Sequence, residues 1–318
     1  MRRLLTCLAV LAAWACPVVM CRAGASSDKP KPKADAGTLL PVPERRRSQA
    51  PPPRTRAEVQ AVLAGADRQA KTRSIHVVLV AGKKDHGPGE HDYPAWQKAW
   101  QRLLAKAGKT KVTTAWERPG AADLKSADVL VLFKHTAWPT ELNEQIDRYS
   151  ARGGGMVLLH YAVDGARNAD SVGKHIGLFW GGGGRYRHGW LNLSFPAKSN
   201  HPILRGLRGK TVRFHDETYW RLKGDPSRIQ VLATSVEKEK AGPVTIPLVW
   251  TRRSGKGRIC VNILGHYNWT FNDPLFRVLL LRSIAWAAKE PVDRFNDLVL
   301  VDVPLREQKT KASGKAGR

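Results

Sequence analysis

The sequence predicts an α/β fold in which helices cover both faces of a doubly wound, mostly parallel sheet. The first observation is that strand-like apolar runs alternate with helical patterns through most of the chain. The second is that histidine motifs directly follow three of these runs, at 75–80, 155–159 and 259–264. Open α/β sheets bind ligands beyond the carboxyl ends of their strands, so the three motifs predict one common site.

The elements are assigned from the period of their apolar residues. Apolar runs of strand length stand at 75–81, 111–116, 127–133, 156–160, 246–251 and 258–264. Apolar residues at helical spacing stand at 94–107, 140–151 and 274–288. The glycine-containing segment 254–257 joins the last two strands as a hairpin. Asn272 or Asp273, just before Pro274, fits the N-cap of the last helix. Residues 180–235 hold many glycines and short apolar runs, which leaves their assignment open.

The N-terminus predicts export. Arg2 and Arg3 precede an apolar run, and Ala23-Gly24-Ala25 fits a signal-peptidase site, so residues 1–25 are predicted to be a signal peptide. The mature protein is then periplasmic or secreted. A lipoprotein anchor at Cys21 is the less favoured alternative, since the residue before it is Met20 and not a small residue. No other segment reaches the ~18 apolar residues of a membrane span.

Beyond the signal peptide, composition separates one domain from two flanking segments. Residues 26–53 are rich in Pro, Lys, Ser and Ala and are predicted to be a disordered linker. A helical lead-in over 54–70 opens a single α/β domain at 54–302. The polar residues 303–318 are predicted to be a disordered basic tail.

The charge and the cysteines exclude several classes of function. The formal net charge is +26, but about half of this excess lies outside residues 76–302. The folded part has no basic stripe with interleaved aromatics, which argues against a nucleic-acid partner. Attraction to anionic envelope surfaces or acidic glycans remains, as does a basic surface without a specific partner. Cys260 alone follows the signal peptide, which excludes an internal disulfide and a cysteine zinc site, and it is predicted to be a buried apolar side chain.

The first histidine motif is a dense polar loop after the strand at 75–81. Glycine and proline let its backbone fold back so that His86 and His91 face a common point. These histidines are candidate metal ligands, and Lys83 and Asp85 are candidate substrate-binding residues, because loops on a rigid scaffold often carry binding groups. A solvated loop without a ligand is the alternative.

Two further segments contribute candidates. His160, at the end of a buried strand, is a candidate catalytic residue, with a satisfied core histidine as the alternative. Four glycines at 181–184 permit close approach of the backbone to a ligand. Trp180 and Tyr186 flank them as candidate sugar-stacking residues, and His188 is a third candidate metal ligand. This segment fits neither a phosphate loop nor a dinucleotide fingerprint.

Adjacent carboxylates mark the next motif. Asp216 and Glu217 are candidate acid–base residues or metal ligands, and a polar turn is the alternative. Tyr219 and Trp220 beside them are candidate sugar-binding residues. His266, after the last strand, is a candidate catalytic residue. No nucleophile elbow of the G-x-S-x-G or G-x-C-x-G type occurs, so acyl transfer by serine or cysteine lacks a candidate.

The ordered motifs resemble those of ThuA-like (trehalose utilisation) domain proteins over about 75–296. The resemblance is carried by Gly87 to Tyr93, Gly153 to His160, Arg187 to Gly189, Asp216 to Trp220 and Gly265 to Tyr267. It implies a flavodoxin-like, class I glutamine amidotransferase-like fold and, more loosely, a role in carbohydrate metabolism. In that comparison His160 falls near the catalytic cysteine of amidotransferases, so no glutaminase activity is expected.

The leading hypothesis is an exported bacterial enzyme that acts on a sugar or an oxidised sugar derivative. The candidate catalytic residues would supply acid–base chemistry, since imidazole transfers protons near neutral pH. A divalent metal such as zinc would assist hydrolysis, elimination or isomerisation. The alternatives are a non-catalytic carbohydrate-binding protein and an envelope-associated structural protein. The sequence leaves the substrate, the reaction and the oligomeric state open.

Overall fold

The computed structural model of the chain describes residues 37–67, 69–135 and 138–307. Its strands are β1 (Ile75–Ala81), β2 (Thr110–Trp116), β3 (Val129–Phe133), β4 (Gly155–Leu159), β5 (Leu178–Phe179), β6 (Arg185–Ser194), β7 (Thr211–Trp220), β8 (Lys223–Gly224), β9 (Gln230–Glu239), β10 (Gly242–Ser254) and β11 (Gly257–Asn262). Its helices are α1 (Arg56–Leu63), α2 (Tyr93–Ala105), α3 (Ala121–Ser126), α4 (Thr140–Ala151), α5 (Ala169–Ile176), α6 (Asn268–Asn272) and α7 (Pro274–Ala287).

Nine strands form one sheet in the order β2-β1-β3-β4-β11-β10-β9-β6-β7. The first five run parallel to one another, and the remaining four add by antiparallel pairing. We call these first five strands the parallel half and the other four the antiparallel half. The parallel half has the strand order of a flavodoxin-like fold, in which β2 and β3 lie on opposite sides of β1. The predicted fold is therefore confirmed, and β10 and β11 form the predicted hairpin. Strands β5 and β8 form a separate antiparallel ladder.

The parallel half is the buried centre of the sheet. Every residue of β1, β3 and β4 is buried. Phe133, at the end of β3, packs on Trp96 of α2 and on Phe271 of α6, with ring centroids 5.4 and 4.8 Å apart. Aromatic side chains bury large apolar areas, so this contact ties the flanking helices to the carboxyl edge of the sheet.

Several local predictions are confirmed. The predicted helices correspond to α2, α4 and α7. Asp273 is the N-cap of α7, because its carboxylate accepts a hydrogen bond from the backbone N–H of Leu275 at 2.8 Å. Cys260 is fully buried in β11, and burial raises the pKa of its thiol to about 12. Such a thiol is unreactive, in line with its interpretation as a small core residue.

Residues 37–53, which we call the N-terminal strap, differ from the disordered linker predicted for 26–53. They pack against the domain, and Leu40 is only 2% exposed. The side chain of Asn272 pairs with both the backbone N–H and the carbonyl of Leu40, at 2.8 Å each. Asn268 donates to the next carbonyl of the strap at 2.8 Å. Asparagine side chains thus satisfy backbone groups of a segment that contributes few apolar residues of its own.

The strap also helps to enclose α7. Every residue of this helix is buried, including Arg277. The Arg277 guanidinium donates to the carbonyls of Thr38, Phe271 and Val301, at 2.8 to 3.0 Å. A buried charge is tolerated only with such partners, so Arg277 fastens the strap and the C-terminal segment to one helix.

The predicted tail and signal peptide extend beyond the described residues. Of the tail predicted for 303–318, residues 303–307 are described, and the N–H of Arg306 donates to the carbonyl of Arg54 at 3.1 Å. The predicted signal peptide at 1–25 lies wholly outside the described residues. Among the described helices, none is both long and apolar enough to span a bilayer.

Candidate active site

The three histidine motifs converge at the carboxyl edge of the parallel half. His91 lies in the loop after β1, His160 directly follows β4, and His266 lies in the loop after β11. Glu217 comes from the antiparallel half, where it stands within β7. All four side chains are buried, and each directs one ligand atom to a common point. We call these four residues the histidine–glutamate cluster.

The spacing inside the cluster matches a metal site. His91 Nε2 lies 2.8 Å from His160 Nε2 and 2.9 Å from His266 Nδ1, and the latter two atoms are 3.3 Å apart. Glu217 Oε2 lies 3.2 Å from His160 Nε2 and 2.8 Å from His266 Nδ1. Tetrahedral zinc with Zn–N distances of about 2.0–2.1 Å has ligand–ligand edges of ~3.3 Å. Five of the six pairs of ligand atoms therefore lie at this edge length or a few tenths of an ångström below it, and the sixth pair, His91 with Glu217, lies within 4.8 Å.

In each histidine of the cluster, the ring nitrogen that faces away from the cluster, which we call the outer nitrogen, contacts an oxygen atom of the protein. His160 Nδ1 donates to a backbone carbonyl at 2.7 Å. His91 Nδ1 lies 3.0 Å from Asp85 Oδ1, and His266 Nε2 lies 3.4 Å from Glu90 Oε1. A neutral imidazole that donates from one nitrogen has its lone pair on the other. All three lone pairs therefore point into the cluster, which is the arrangement of metal-binding histidines with their outer partners.

The protonation states leave the interior of the cluster rich in acceptors. Burial, followed by the neighbouring imidazoles, lowers the pKa of His91 to about 2, so this ring is neutral at pH 7. The Glu217 carboxylate faces the same interior, 2.8 Å from His266 Nδ1 and 3.2 Å from His160 Nε2. The Tyr219 hydroxyl, 3.0 Å from His160 Nε2, adds a single donor. Lone pairs and a carboxylate at these distances repel one another unless a cation lies among them.

Two residues of the cluster have an unusual backbone. The φ angles of His91 and His160 are 40° and 52°, in the left-handed region that few residues other than glycine adopt. This conformation turns the chain at His160 directly from β4 into a 3-10 turn. The N–H of His91 donates to the carbonyl of His266 at 3.0 Å, which joins two of the loops. Backbone strain of this kind costs ~1–3 kcal/mol per residue and is typical of functional sites.

Asp216, predicted to be catalytic, holds the backbone around the cluster. The side chain is fully buried. Its carboxylate accepts hydrogen bonds from the backbone N–H groups of Gly265, His266 and Glu217, at 3.0, 2.9 and 2.7 Å. These bonds join β7 to the loop after β11. The structure therefore gives Asp216 a positioning role, because its oxygen atoms are occupied by amide donors.

Asp85 connects the cluster to His135, which sequence reasoning missed. His135 Nδ1 lies 3.1 Å from Asp85 Oδ2, and His135 Nε2 lies 3.0 Å from Asp164 Oδ2. Burial lowers the pKa of His135, but the two carboxylates outweigh burial and raise the pKa to about 9. The ring, cationic at pH 7, stacks on Tyr161 with centroids 3.9 Å apart. His135 follows β3 as His160 follows β4, and that shared position is the signal that would have found it.

Arg46 of the N-terminal strap completes the support of His266. Its guanidinium lies 2.7 Å from Glu90 Oε1, the oxygen that faces His266. Gly89, beside Glu90, has a φ of 81°, and a Cβ there would lie 2.6 Å from Cδ of Pro43. Only glycine lets the strap approach the loop so closely. Glu90 and Arg46 are site residues absent from the sequence predictions.

Aromatic residues form a rim around the cluster. Tyr186 is 59% exposed, and the ring of Trp180 lies 6.3 Å from it and 4.9 Å from Tyr219. The ring of His188 lies 4.6 Å from that of His266, and its Nε2 is 3.6 Å from the carboxylate of the cluster. Flat aromatic faces beside polar groups match the mixed apolar and polar surface of a sugar.

Of the other predicted site residues, some flank the cluster and others lie away from it. His86 and His188, predicted metal ligands, flank the cluster, and the His86 ring lies 3.7 Å from that of His91. Lys83 is exposed, and its backbone N–H binds Glu117 at 2.8 Å. Trp220 follows Tyr219 on β7, so its side chain points to the opposite face of the strand, where the indole donates to Glu239 at 2.7 Å.

Comparison with known proteins identifies the family. A ThuA-like protein of Parabacteroides merdae is 24% identical, with a TM-score of 0.54 over 68% of this chain and 90% of that one. A ThuA-like protein of Bacteroides uniformis is 17% identical, with a TM-score of 0.54 over 69% and 93%. These likenesses show the fold, and a search among curated proteins gave no match. The family model described as ThuA, trehalose utilisation, matches residues 77–287. The chain therefore belongs to the ThuA (trehalose utilisation) family.

Proposed function

We propose that this protein is a metal-dependent enzyme that acts on a sugar or an oxidised sugar derivative. The observation that carries the proposal is the histidine–glutamate cluster, in which five of the six pairs of ligand atoms lie 2.8 to 3.3 Å apart. Membership of a trehalose-utilisation family supports the substrate class.

The ligand set suits zinc or another divalent ion of the first transition row, because imidazole is a common ligand of these metals. Partners on the outer nitrogens fix the orientation of all three rings before the ion binds. His91, His160, His266 and Glu217 would hold the ion. The aromatic rim around Tyr186 is the side from which a sugar would approach.

A metal held by His91, His160, His266 and Glu217 would supply Lewis-acid chemistry to a carbonyl or hydroxyl oxygen of the sugar. His135 and His188 stand at the rim, outside the cluster, and are the imidazoles placed to exchange protons with the substrate. His135, held cationic by Asp85 and Asp164, would donate a proton. Isomerisation, elimination and hydrolysis of sugars all need proton transfer, which these imidazoles would supply.

The proposal is tested by the metal content of the purified protein, measured by mass spectrometry for wild type, His160→Ala and His266→Ala. We expect near-stoichiometric divalent metal in wild type and loss of the metal in both variants. His215→Gln is the matched control, since His215 stands on β7 two residues from Glu217 and is not a member of the cluster. Wild-type protein that stays metal-free after purification with added zinc, manganese and iron would overturn the metal-dependent mechanism.

The second candidate is a carbohydrate-binding protein without catalysis, and the exposed Tyr186 is the observation that favours it. The two candidates differ in whether a metal is needed to bind and convert the sugar. Calorimetry with trehalose and its oxidised derivatives, before and after chelation, separates them. Binding that is unchanged by chelation, with no conversion of the sugar, would favour the binding protein.

We also propose that the protein is exported through the segment at residues 1–25. Its support is the basic start, the apolar run and the Ala23-Gly24-Ala25 pattern. N-terminal sequencing of the protein from the periplasm or medium should give a chain that begins at Ser26. Recovery of the full-length chain from the cytoplasm alone would contradict export.

A further inference from the structure

A groove lined by arginines lies at the edge of the sheet opposite the histidine–glutamate cluster. Its volume is about 760 Å³, and it is formed by the end of β10, the start of β11, the segment before β9 and the residues after α7. Strand β11 runs from the groove toward the cluster, which separates the two by roughly 20 Å at about 3.3 Å per residue. The groove is therefore a feature distinct from the candidate active site.

The lining is strongly basic. Arg228, Arg252, Arg253 and Arg258 all line the groove, and none of them forms an ion pair within the described ranges 37–67, 69–135 and 138–307. Glu290 is the acidic residue of the lining, but Arg73 and Arg294 bind its carboxylate. Asp225, which does not line the groove, attracts Arg228 and Arg252 without forming an ion pair with either, so the groove keeps an excess of positive charge.

The arrangement keeps like charges close together. Arg253 and Arg258 stand directly opposite each other in the β10–β11 ladder, a placement that destabilises a sheet. Burial, and then Arg253, lowers the pKa of Arg258. Burial, and then Arg228, lowers the pKa of Arg252. Rigid strands hold this repulsion in place, so a bound anion would relieve it.

A buried histidine adds an independent observation. His201 lines the groove and is only 7% exposed. Its Nδ1 accepts from the N–H of Ile203 at 3.4 Å, which places the ring proton on Nε2. That Nε2 has no hydrogen-bond partner in the described part of the chain. A buried donor without an acceptor is costly, and an anion in the groove would accept its proton.

We propose that the groove binds a small anion that carries two or more phosphate or carboxylate groups. Guanidinium groups fit such oxyanions with paired hydrogen bonds. The concave shape favours a small ligand over a membrane surface. Consistent with this, the large apolar side chains that the described residues leave exposed lie outside the groove. This proposal does not depend on the function proposed for the cluster.

Calorimetric titration of the full chain with inorganic pyrophosphate tests the proposal. We expect saturable one-to-one binding, weakened roughly 10-fold or more in the double variant Arg252→Gln/Arg253→Gln. The double variant Arg118→Gln/Arg208→Gln is the matched control, because it removes the same charge from exposed arginines that do not line the groove. Equal weakening in the control would show only general charge attraction and would overturn the proposal.

Thermal unfolding gives a second, independent readout. The single variant Arg253→Gln removes the charge opposite Arg258, so without anion it should raise Tm by about 1–3 °C. Pyrophosphate should raise the Tm of wild type and should raise that of Arg253→Gln less. A lower Tm for the variant without anion would show that Arg253 is stabilising, against the proposal. Binding to vesicles of anionic phospholipid but not to pyrophosphate would overturn it in favour of a membrane surface.

Discussion

The two halves of the sheet contribute to the candidate active site in different ways. The parallel half supplies His91, His160 and His266 from the ends of three strands. The antiparallel half supplies Glu217 from the interior of β7, with Tyr219 two residues further along the same face. The site therefore lies where strand-end residues of one half meet a strand face of the other.

The ligands from the two halves are positioned by different parts of the structure. A strand-end ligand depends on the backbone of its loop, as the left-handed φ angles of His91 and His160 show. A ligand within a strand depends on the register of its neighbours, and His188 pairs with Glu217 in the β6–β7 ladder. Asp216 links the two kinds of support, since it stands on β7 and binds the backbone of the His266 loop.

The largest effect is expected from a ligand of the parallel half. His91→Ala removes one of three inward lone pairs and should weaken zinc binding by more than roughly 100-fold, beyond the loss typical of outer-sphere partners. Glu217→Gln leaves the three imidazoles, a set sufficient for zinc, and should cost less. Competition with a coloured chelator measures both affinities, with His215→Gln as control. Equal affinities in His91→Ala and the control would remove His91 from the site.

The next effect concerns the link between the halves. Asp216→Asn replaces a carboxylate that accepts three backbone N–H groups by an amide with one acceptor oxygen. At least one buried N–H then lacks an acceptor, so the free energy of unfolding should fall by about 1–3 kcal/mol. Urea unfolding measures it. If Asp216 were an acid–base residue, one of the roles that the sequence predicted for it, activity would instead be lost with stability unchanged.

A smaller effect is expected from the strap. Arg46→Ala frees Glu90, which orients His266, and should weaken metal binding ~10-fold, at the low end for an outer partner. Arg47→Ala is the matched control, because Arg47 pairs with Glu44 on the surface, where both side chains are more than half exposed. Chelator competition gives both values. Identical affinities for the two variants would mean that Glu90 holds its place without the strap.

The last effect concerns a buried histidine of helix α5 that lies outside the site. His175 is 1% exposed, and burial lowers its pKa from 6.5 to about 4. The unfolded chain therefore binds a proton below pH 6.5 that the folded protein does not, so stability falls as the pH drops from 6.5 toward 4. Between pH 7 and pH 5 this histidine should account for about 2 kcal/mol.

Urea unfolding of His175→Phe at the two pH values checks this prediction. Phenylalanine keeps a flat ring beside Trp138, which His175 contacts at a centroid distance of 5.9 Å. The variant should lose less stability than wild type on acidification. The same loss in both proteins would show that His175 is protonated as easily in the folded state as in the unfolded one.

The parallel half of the fold and the β10–β11 hairpin could be predicted, whereas β6, β7 and β9 could not. Continuous apolar runs such as β3 and hairpin glycines are strong local signals. In β6 most residues are at least partly exposed, and its sequence holds arginine, histidine and glycine. Its place in the sheet depends on pairing with β7, which is a contact between distant parts of the chain. The strap was missed for the same reason, since its order comes from Asn268 and Asn272.

The residues of the candidate site could be predicted from residue type and strand position, but the role of each residue could not. His91, His160 and His266 were expected to face one point because each follows a strand. Asp216 and Glu217 are adjacent, and only the structure shows that one binds backbone amides while the other faces the imidazoles. The partners Glu90 and His135 lie on loops, where sequence gives no distances.

The strap has a practical consequence for how the protein is produced and compared. The family match begins at residue 77, well after Arg46 and Leu40. A fragment trimmed to that match would contain all four residues of the cluster and would lose the arginine that holds Glu90. It would also leave the Asn272 amide without the backbone groups it pairs with. Domain boundaries taken from family similarity would therefore yield a protein with every ligand present and a loosened site.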